Sequence, residues 1–87
     1  MNYDRLPKHM QEGAKLYVEH GKLSGSFLTA ILENDFVSAA CNADHINLMF
    51  LHNWASWLLN DAPMTCWGSR EAVTAWCDAG GLEGMKE

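Results

Sequence analysis

The sequence predicts an all-α fold: a compact bundle of about four helices, with a long central third helix and no sheet. Apolar residues recur at three- and four-residue steps, which is the period of one helix face. Pro, Ser, Asp and Gly stand where these patterns begin and end, as helix start and stop signals do. No segment alternates between apolar and polar residues as a half-buried strand would. The 87 residues are therefore predicted to form a single helical domain, with its core at about residues 6–82.

The first predicted helix is LPKHMQEGAKLYVEHG, residues 6–21. Pro7 can occupy its first turn because the missing N–H costs nothing there, and Gly21 supplies a left-handed stop. Gly13 lies in the middle, where glycine costs roughly 1 kcal/mol relative to alanine, so it either permits a close helix crossing or is simply tolerated. The apolar stripe of this helix is Leu6, Met10, Ala14, Tyr17 and Val18.

The second predicted helix is SFLTAILEN, residues 26–34, capped by Ser24 or Ser26. Its buried side chains are predicted to be Phe27, Leu28, Ile31 and Leu32. The carboxylate of Asp35 can accept a hydrogen bond from a nearby backbone N–H, so Asp35 is expected to cap a third helix. A continuous helix through residues 34–35 is the alternative.

The third predicted helix carries the strongest pattern in the chain, which begins at Phe36 and continues over about seven turns. The main apolar stripe comprises Ala39, Ala40, Ala43, Ile46, Asn47, Phe50, Trp54, Trp57 and Leu58. A second stripe, on another side of the same helix, comprises Leu48, Leu51, Ala55 and Leu59. The C-terminal half of this helix is thus apolar on two faces, and Pro63 ends it.

The surplus apolar surface of this helix predicts self-association, as a dimer or a higher homo-oligomer. A two-fold dimer is the default because it is the commonest closed assembly. The size of the chain points the same way, since ordering it costs on the order of 130 kcal/mol at about 1.5 kcal/mol per residue, and small scaffolds often need a partner subunit. The predicted interface residues are Leu48, Phe50, Leu51, Trp54 and Leu58.

The fourth predicted helix is REAVTAWCDAGG, residues 70–81, which follows the connector APMTCWGS. Ser69 is expected to cap it, Glu71 places a negative charge in its first turn, and two glycines close it. The side chains predicted to face inward are Val73, Trp76, Cys77 and Leu82, and the tail that follows is predicted to fray.

Eleven acidic residues against six basic ones give a net charge of −5, which repels phosphate backbones and anionic membranes and favours basic protein surfaces. Neither direct nucleic-acid binding nor membrane association is expected. The carboxylates are scattered without a run, which weakens mimicry of nucleic acid. MNYDRLPKHM contains no apolar region of the kind that directs secretion, so a cytoplasmic location with reduced thiols is expected.

Cys41 and His45 lie four residues apart, the spacing that places two zinc ligands on one helix face. His52, Cys66 and Cys77 could complete a tetrahedron. No second pair repeats the spacing, so buried thiols and an exposed histidine are the preferred interpretation, without metal or cofactor. The sequence contains no phosphate-cradling loop and no HExxH pair, so no catalytic residues and no enzymatic activity are predicted. A small Cys/His metal protein or hydrolase is the second alternative.

Polar residues bracket the start of the third predicted helix, and one of them, Asn47, lies inside the main apolar stripe. A buried amide without partners costs about 1–3 kcal/mol, so Asn47 is either locked in an internal or intersubunit hydrogen bond or aimed at a ligand. Trp67 and Arg70 flank the start of the fourth helix, where an aromatic face, free N–H groups and a cation could receive an anion or a nucleobase. As a core tryptophan followed by a cap, the same residues need no ligand. The predicted ligand-binding set is Asn34, Asp35, Asp44, Asn47, Trp67 and Arg70.

The stretches SGSFLTAILENDFVSAACNADHIN, WLLNDAP and CWGSREAVTAWCDAGGL resemble a family of short proteins of tailed bacteriophages and prophages. The likeness extends from about Leu6 to Leu82 and rests on the order of GSFL, ND, AD-IN, NDAP, CWGS and GGL. It implies a phage-encoded accessory protein acting in the host cytoplasm by stoichiometric binding. The main expectation is inhibition of a host defence component, such as a CRISPR effector. The alternative is a sponge that sequesters an immune nucleotide signal in an intersubunit pocket.

Overall fold

Residues 2–86 are described by a computed structural model, in which they form seven α-helices and one 3-10 turn. The 3-10 turn, Met64–Cys66, lies between the fifth and sixth helices. The helices in chain order are α1 (Lys8–His20), α2 (Ser26–Leu32), α3 (Phe36–Asn42), α4 (His45–Met49), α5 (Leu51–Asn60), α6 (Arg70–Ala79) and α7 (Gly81–Gly84). These residues include no strand, so the all-α class is confirmed.

The ends of α1 and α6 lie where the sequence predicts them. Pro7 precedes α1, and Gly21 closes it in the left-handed region at φ 69°. Ser69 starts α6, because its Oγ accepts the backbone N–H of Ala72 at 3.1 Å. Gly80 ends α6, again in the left-handed region, at φ 80°. Residues at the ends of α1 and α6 therefore determine where both helices begin and end.

The predicted serine cap of α2 is wrong. Gly25 precedes this helix, and no side chain caps it. Gly25 has φ 81° and ψ 149°, a conformation that is open to glycine and strained for other residues. The chain enters α2 through this turn, which places Ser24 too early to cap the helix and Ser26 already inside it.

Asp35 separates α2 from α3, as predicted. Its Oδ1 accepts the backbone N–H of Ser38 at 3.1 Å, which caps α3. Asn34 turns the chain between the two helices with φ 62°, in the left-handed region that asparagine tolerates. The alternative of one continuous helix through this pair is thereby excluded.

The prediction of a long central third helix is wrong. The chain breaks after Asn42 and again at Phe50, so that α3, α4 and α5 replace the single helix. At the first break Asp44 is extended, and its Oδ1 accepts the backbone N–H of Asn47 at 2.7 Å. An aspartate that captures a local N–H starts a new helix instead of continuing the old one. The apolar spacing persists across both breaks, so periodicity did not reveal them.

Three buried tryptophans form the centre of the core, and each indole N–H has a partner. Trp54 and Trp57 pack edge to face with ring centroids 6.0 Å apart. The indole of Trp54 donates to Asn47, and that of Trp76 donates to the backbone oxygen of Tyr17 at 3.0 Å. Among the described residues, no buried side-chain nitrogen or oxygen lacks a hydrogen-bond partner.

The C-terminal segment packs against the end of α1. A Cβ atom added at Gly81 would lie 2.6 Å from the backbone of residues 19–21, so only glycine permits this approach. The chain then continues as α7 to Gly84, although the sequence predicts that it frays after Leu82. The side chain of Leu82, predicted to fold inward, is exposed.

The radius of gyration is 11.9 Å, which agrees with the value of about 12 Å expected for a compact domain of this length. None of the described helices is long and apolar enough to cross a bilayer. The described residues therefore form a compact globule, in which α5 supplies two of the three buried tryptophans and α6 the third.

Candidate functional site

Helix α3 has the reverse of the usual arrangement for a surface helix. Its one buried residue is Ala39, whereas Phe36 is 72% exposed and Val37 is 68% exposed. A surface helix ordinarily turns its large apolar side chains toward the core and its small or polar ones outward. The cap at Asp35 fixes the start of this helix, and the small Ala39 side chain allows it to lie close to the core.

Helix α4 has the same reversed arrangement. It buries the amide of Asn47, which accepts the indole N–H of Trp54 at 3.1 Å, and it exposes large apolar residues. The buried hydrogen bond sets the rotation of the helix, because Asn47 must face inward to reach its partner. We call the exposed apolar side chains of the two helices the apolar face: Phe36, Val37, Ile46, Leu48 and Met49.

Exposed apolar side chains are concentrated in this part of the chain. Among residues 2–86, every large apolar residue that is at least 48% exposed lies in the range 36–64, and the exposed ones outside that range reach at most 47%. Single exposed apolar residues are ordinary, whereas a concentration of them marks an interaction surface. The most exposed of the large apolar residues in this range are the five of the apolar face together with Leu59 and Met64.

An apolar groove of about 170 Å³ opens between α2, α3 and α5. Asn34 and Asp35 lie at the α2–α3 corner of this groove, and Phe36 belongs both to the groove and to the apolar face. The remaining walls are apolar side chains from the three helices: Ala30, Ile31, Ala39, Leu51, Ala55 and Leu58. Phe36 is therefore shared by the groove and the apolar face.

A larger and more polar cleft, of about 540 Å³, shares Ala30 and Asp35 with the apolar groove. Its charged residues are Glu33, Asp35 and Arg70. The Arg70 Nε lies 3.9 Å from the Glu33 Oε2, a loose ion pair whose arginine is largely exposed. With two carboxylates and one guanidinium, the charge of this cleft does not favour an anion.

The structure does not bring the six predicted ligand-binding residues together. Asp35 shares the polar cleft with Arg70, and it shares the apolar groove with Asn34. Asp44 and Asn47 instead form the capped start of α4. The half-buried Trp67 lines neither cavity.

The amide of Asn47 has a structural partner. It is 2% exposed and is hydrogen-bonded to Trp54. Of the alternatives that the sequence leaves open, namely an internal hydrogen bond, an intersubunit hydrogen bond or a ligand contact, this is the internal hydrogen bond. Both carboxylates predicted as ligands, those of Asp35 and Asp44, act as helix caps. Their polar chemistry is thus used within the subunit.

The five predicted interface residues lie at different depths. Trp54 and Leu58 belong to the core of the single chain, so their surface is covered by the chain itself. Phe50 and Leu51 are half-buried against that core, and Leu51 lines the apolar groove. Of the five, Leu48 alone belongs to the apolar face.

A surface hydrogen bond connects α1 to the start of α4. The His9 Nε2 lies 2.9 Å from the Asp44 Oδ2, and the other oxygen of Asp44 caps α4. The backbone N–H of Asn47 and the hydrogen bond to His9 lower the pKa of Asp44. Asp44 therefore has two structural roles in its charged form.

The thiol and imidazole groups are dispersed. Cys41 belongs to α3 and His45 to α4, so the four-residue spacing does not place them on one helix face. Within residues 2–86 no group of three or more His, Cys, Asp or Glu side chains could hold a metal ion. Burial raises the pKa of the Cys66 thiol to about 12, and Cys77 is half-buried.

The sequence carries a charge signal that belongs to no motif. No lysine or arginine occurs between Lys22 and Arg70, although four carboxylates do. This basic-free segment, residues 23–69, contains every residue of the apolar face and of the apolar groove. The absence of lysine and arginine from residues 23–69 therefore marks the part of the chain that contains the apolar face and the apolar groove.

No protein-family model, curated protein or solved structure matches this chain.

Proposed function

We propose that this chain is a small, non-catalytic binding protein that forms a stoichiometric complex with another protein through its apolar face. One observation carries the proposal: two consecutive helices, α3 and α4, bury Ala39 and Asn47 and expose their large apolar side chains. Capping carboxylates and a buried hydrogen bond hold the helices in that orientation. The exposure of these apolar side chains thus follows from hydrogen bonds within the folded chain itself.

The magnitude of apolar burial supports a protein partner. Moving one large apolar side chain from water to a buried site contributes about 1.5–3 kcal/mol. Association of two proteins must first offset about 4–15 kcal/mol of lost freedom. Five large side chains on adjoining helices can offset the lower part of this range, and polar contacts at the rim of the complex would add specificity.

The partner we propose is a component of bacterial host defence. The resemblance to proteins of tailed bacteriophages supports this setting, and the net charge of −5 supports a partner with a basic surface. Binding alone would block such a component, which suits a chain in which Asp35 and Asp44 act as helix caps and Arg5 and Asp61 form a surface ion pair.

The geometry of the single chain supports a nucleotide sponge less well. A phosphate-bearing ligand needs cations or free helix N-termini. In the polar cleft the one cation among the described lining residues, Arg70, lies beside two carboxylates, those of Glu33 and Asp35. The backbone N–H of Ser38 at the start of α3 already donates to Asp35. An intersubunit pocket would have to supply the missing positive charge.

Co-purification with matched variants tests the proposal. The tagged chain is expressed in defence-bearing bacteria, as wild type, as Leu48→Ser/Met49→Ser and as Leu82→Ser/Met85→Ser. Both double variants replace one exposed leucine and one exposed methionine, but the second pair lies on and beside α7. Native mass spectrometry then gives the stoichiometry of each complex. Thermal unfolding confirms that both variants remain folded, as is expected for exposed positions.

We expect the wild type and the Leu82→Ser/Met85→Ser variant to retain the same protein at a fixed ratio. We expect the Leu48→Ser/Met49→Ser variant to lose it. Equal retention by the two double variants would contradict the proposal, and so would a retained small molecule without a protein. Capture that differs between preparations, without a fixed ratio, would count as non-specific adhesion and would also contradict it.

A further inference from the structure

We infer that the apolar groove between α2, α3 and α5 receives an amphipathic helix of the partner, one whose apolar stripe is flanked by basic residues. This inference rests on the proposed function and names the chemistry of the bound segment. Phe36 belongs both to the groove and to the apolar face, so a helix seated in the groove would contact that residue of the face.

The size of the groove favours side-chain anchors over a small molecule. Pockets for drug-sized ligands measure about 300–1,000 Å³. The groove measures about 170 Å³. A volume of this size suits a few anchoring side chains from one face of a helix, spaced at three- and four-residue steps.

The walls of the groove favour a helix as the bound element. Of the three alanines that line it, Ala30 and Ala39 are buried in the single chain and Ala55 on α5 is exposed. A small exposed side chain lets another helix approach to about 8–10 Å between the axes, so a further helix can pack on α5 at Ala55. Within residues 2–86 there is no strand edge to which an extended peptide could add.

The charge around the groove favours a basic segment. Asp35 lies at one end of the groove, and none of the four salt bridges among the described residues includes it. Arg70, which shares the neighbouring polar cleft, pairs with Glu33. No lysine or arginine occurs in residues 23–69, so the walls carry no cation that would repel a basic helix. A second copy of this chain would bring the same carboxylates to the same place, and like charges oppose that assembly.

Two synthetic peptides of one length provide the probe. Both carry leucines at helical spacing on one face, and the polar face is lysine and arginine in one peptide and glutamate in the other. Fluorescence anisotropy measures their binding to the full chain at low and at high salt. We expect the basic peptide to bind, with an affinity that falls as salt rises, and the acidic peptide not to bind.

Variants locate the site. Ala55→Lys places a long cation in the groove, and we expect it to weaken binding of the basic peptide more than tenfold. Ala75→Lys makes the same change at an exposed position of α6 outside the groove, and we expect it to leave binding unchanged. Asp35→Asn keeps a capping oxygen and removes the charge. Because this removes one surface ion pair with the basic peptide, we expect the peptide to bind about two- to fivefold more weakly.

Several outcomes would overturn the inference: equal binding of both peptides, binding of neither, or equal weakening by Ala55→Lys and Ala75→Lys. A self-dimer that Ala55→Lys dissociates would assign the groove to a second copy and would also overturn it. These results are distinguishable from failure of the proposed function. If Leu48→Ser/Met49→Ser still abolishes co-purification, the apolar face binds a partner and only the helical occupant of the groove is refuted.

Discussion

The indole N–H of Trp54 donates a hydrogen bond to the Oδ1 of Asn47 at 3.1 Å, with both side chains buried. This bond joins α4 to α5 across the break at Phe50. Because Asn47 must face inward to make the bond, its neighbours Ile46 and Leu48 face solvent. A single buried polar pair thereby determines which side chains of α4 are available to a partner.

A double-mutant cycle measures that pair. We expect Asn47→Ala to lower the free energy of unfolding by about 1–3 kcal/mol, because the Trp54 indole N–H is left buried without a partner. Trp54→Phe and the double variant complete the cycle in urea-unfolding experiments. The coupling energy should be on the order of 0.5–3 kcal/mol, as for residues in direct contact. Strict additivity of the two substitutions would contradict the structural role of the bond.

The pH dependence of stability should report the Asp44 cap. The pKa of Asp44 is lowered by the backbone N–H of Asn47 and by His9, so the folded state holds its proton less tightly than the unfolded state. The stabilisation is therefore present above the ordinary value of 3.8 and is lost as pH falls through the lowered folded value. Asp44→Asn should remove this part of the acid sensitivity, measured as the difference between the two unfolding curves from pH 6 to pH 2. Parallel curves would contradict the assignment.

The three thiols should differ in reactivity toward iodoacetamide. Cys41 is exposed, Cys77 is half-buried, and burial raises the pKa of Cys66 to about 12. The thiolate is the reactive form, and at pH 8 a thiol with that pKa is ionised to on the order of 10⁻⁴. Peptide mapping by mass spectrometry should find Cys41 labelled first in the native protein. Labelling of Cys66 should require urea, and equal rates for Cys41 and Cys66 would contradict the buried placement.

One substitution should have opposite effects at two glycines. A Cβ atom at Gly13 would lie 3.5 Å from the Ser24 Oγ, an ordinary contact, so Gly13→Ala should stabilise α1 by roughly 0.5–1 kcal/mol. Gly81 has φ 69°, and its Cβ would meet the α1 backbone at 2.6 Å. Gly81→Ala should therefore destabilise the fold by roughly 2–5 kcal/mol, from backbone strain and overpacking together. Thermal unfolding gives both values, and effects of the same sign would contradict the packing of α7 on α1.

The helix ends could be predicted wherever one residue determines them. Asp35, Ser69, Gly21 and Gly80 act through their own backbone or their own carboxylate and hydroxyl groups, so a local reading of the sequence was sufficient. Asp44 has the same chemistry as Asp35. The apolar spacing continues across Asp44, so periodicity predicts one long helix there although the cap signal is present.

The candidate site could be predicted only in part. The sequence identified Asn34 and Asp35, which do lie at one corner of the apolar groove, but it assigned them to a polar ligand. The outward orientation of Ile46 depends on a tertiary hydrogen bond to Trp54, and no local pattern contains that information. The groove forms only where α2, α3 and α5 come together, and the spacing of residues along the chain does not predict how three helices pack.

Hydroxyl-radical footprinting tests the central claim most directly, because methionines on and off the apolar face serve as sensors in the same sample. Met49 lies on α4, and Met85 lies beside α7 as an internal control. In the isolated chain both should be oxidised readily. In the complex with the co-purified partner, Met49 should be strongly protected and Met85 should remain reactive. If Met49 is oxidised equally in the complex, or is already shielded in the isolated chain, α4 does not present its apolar side chains to a partner.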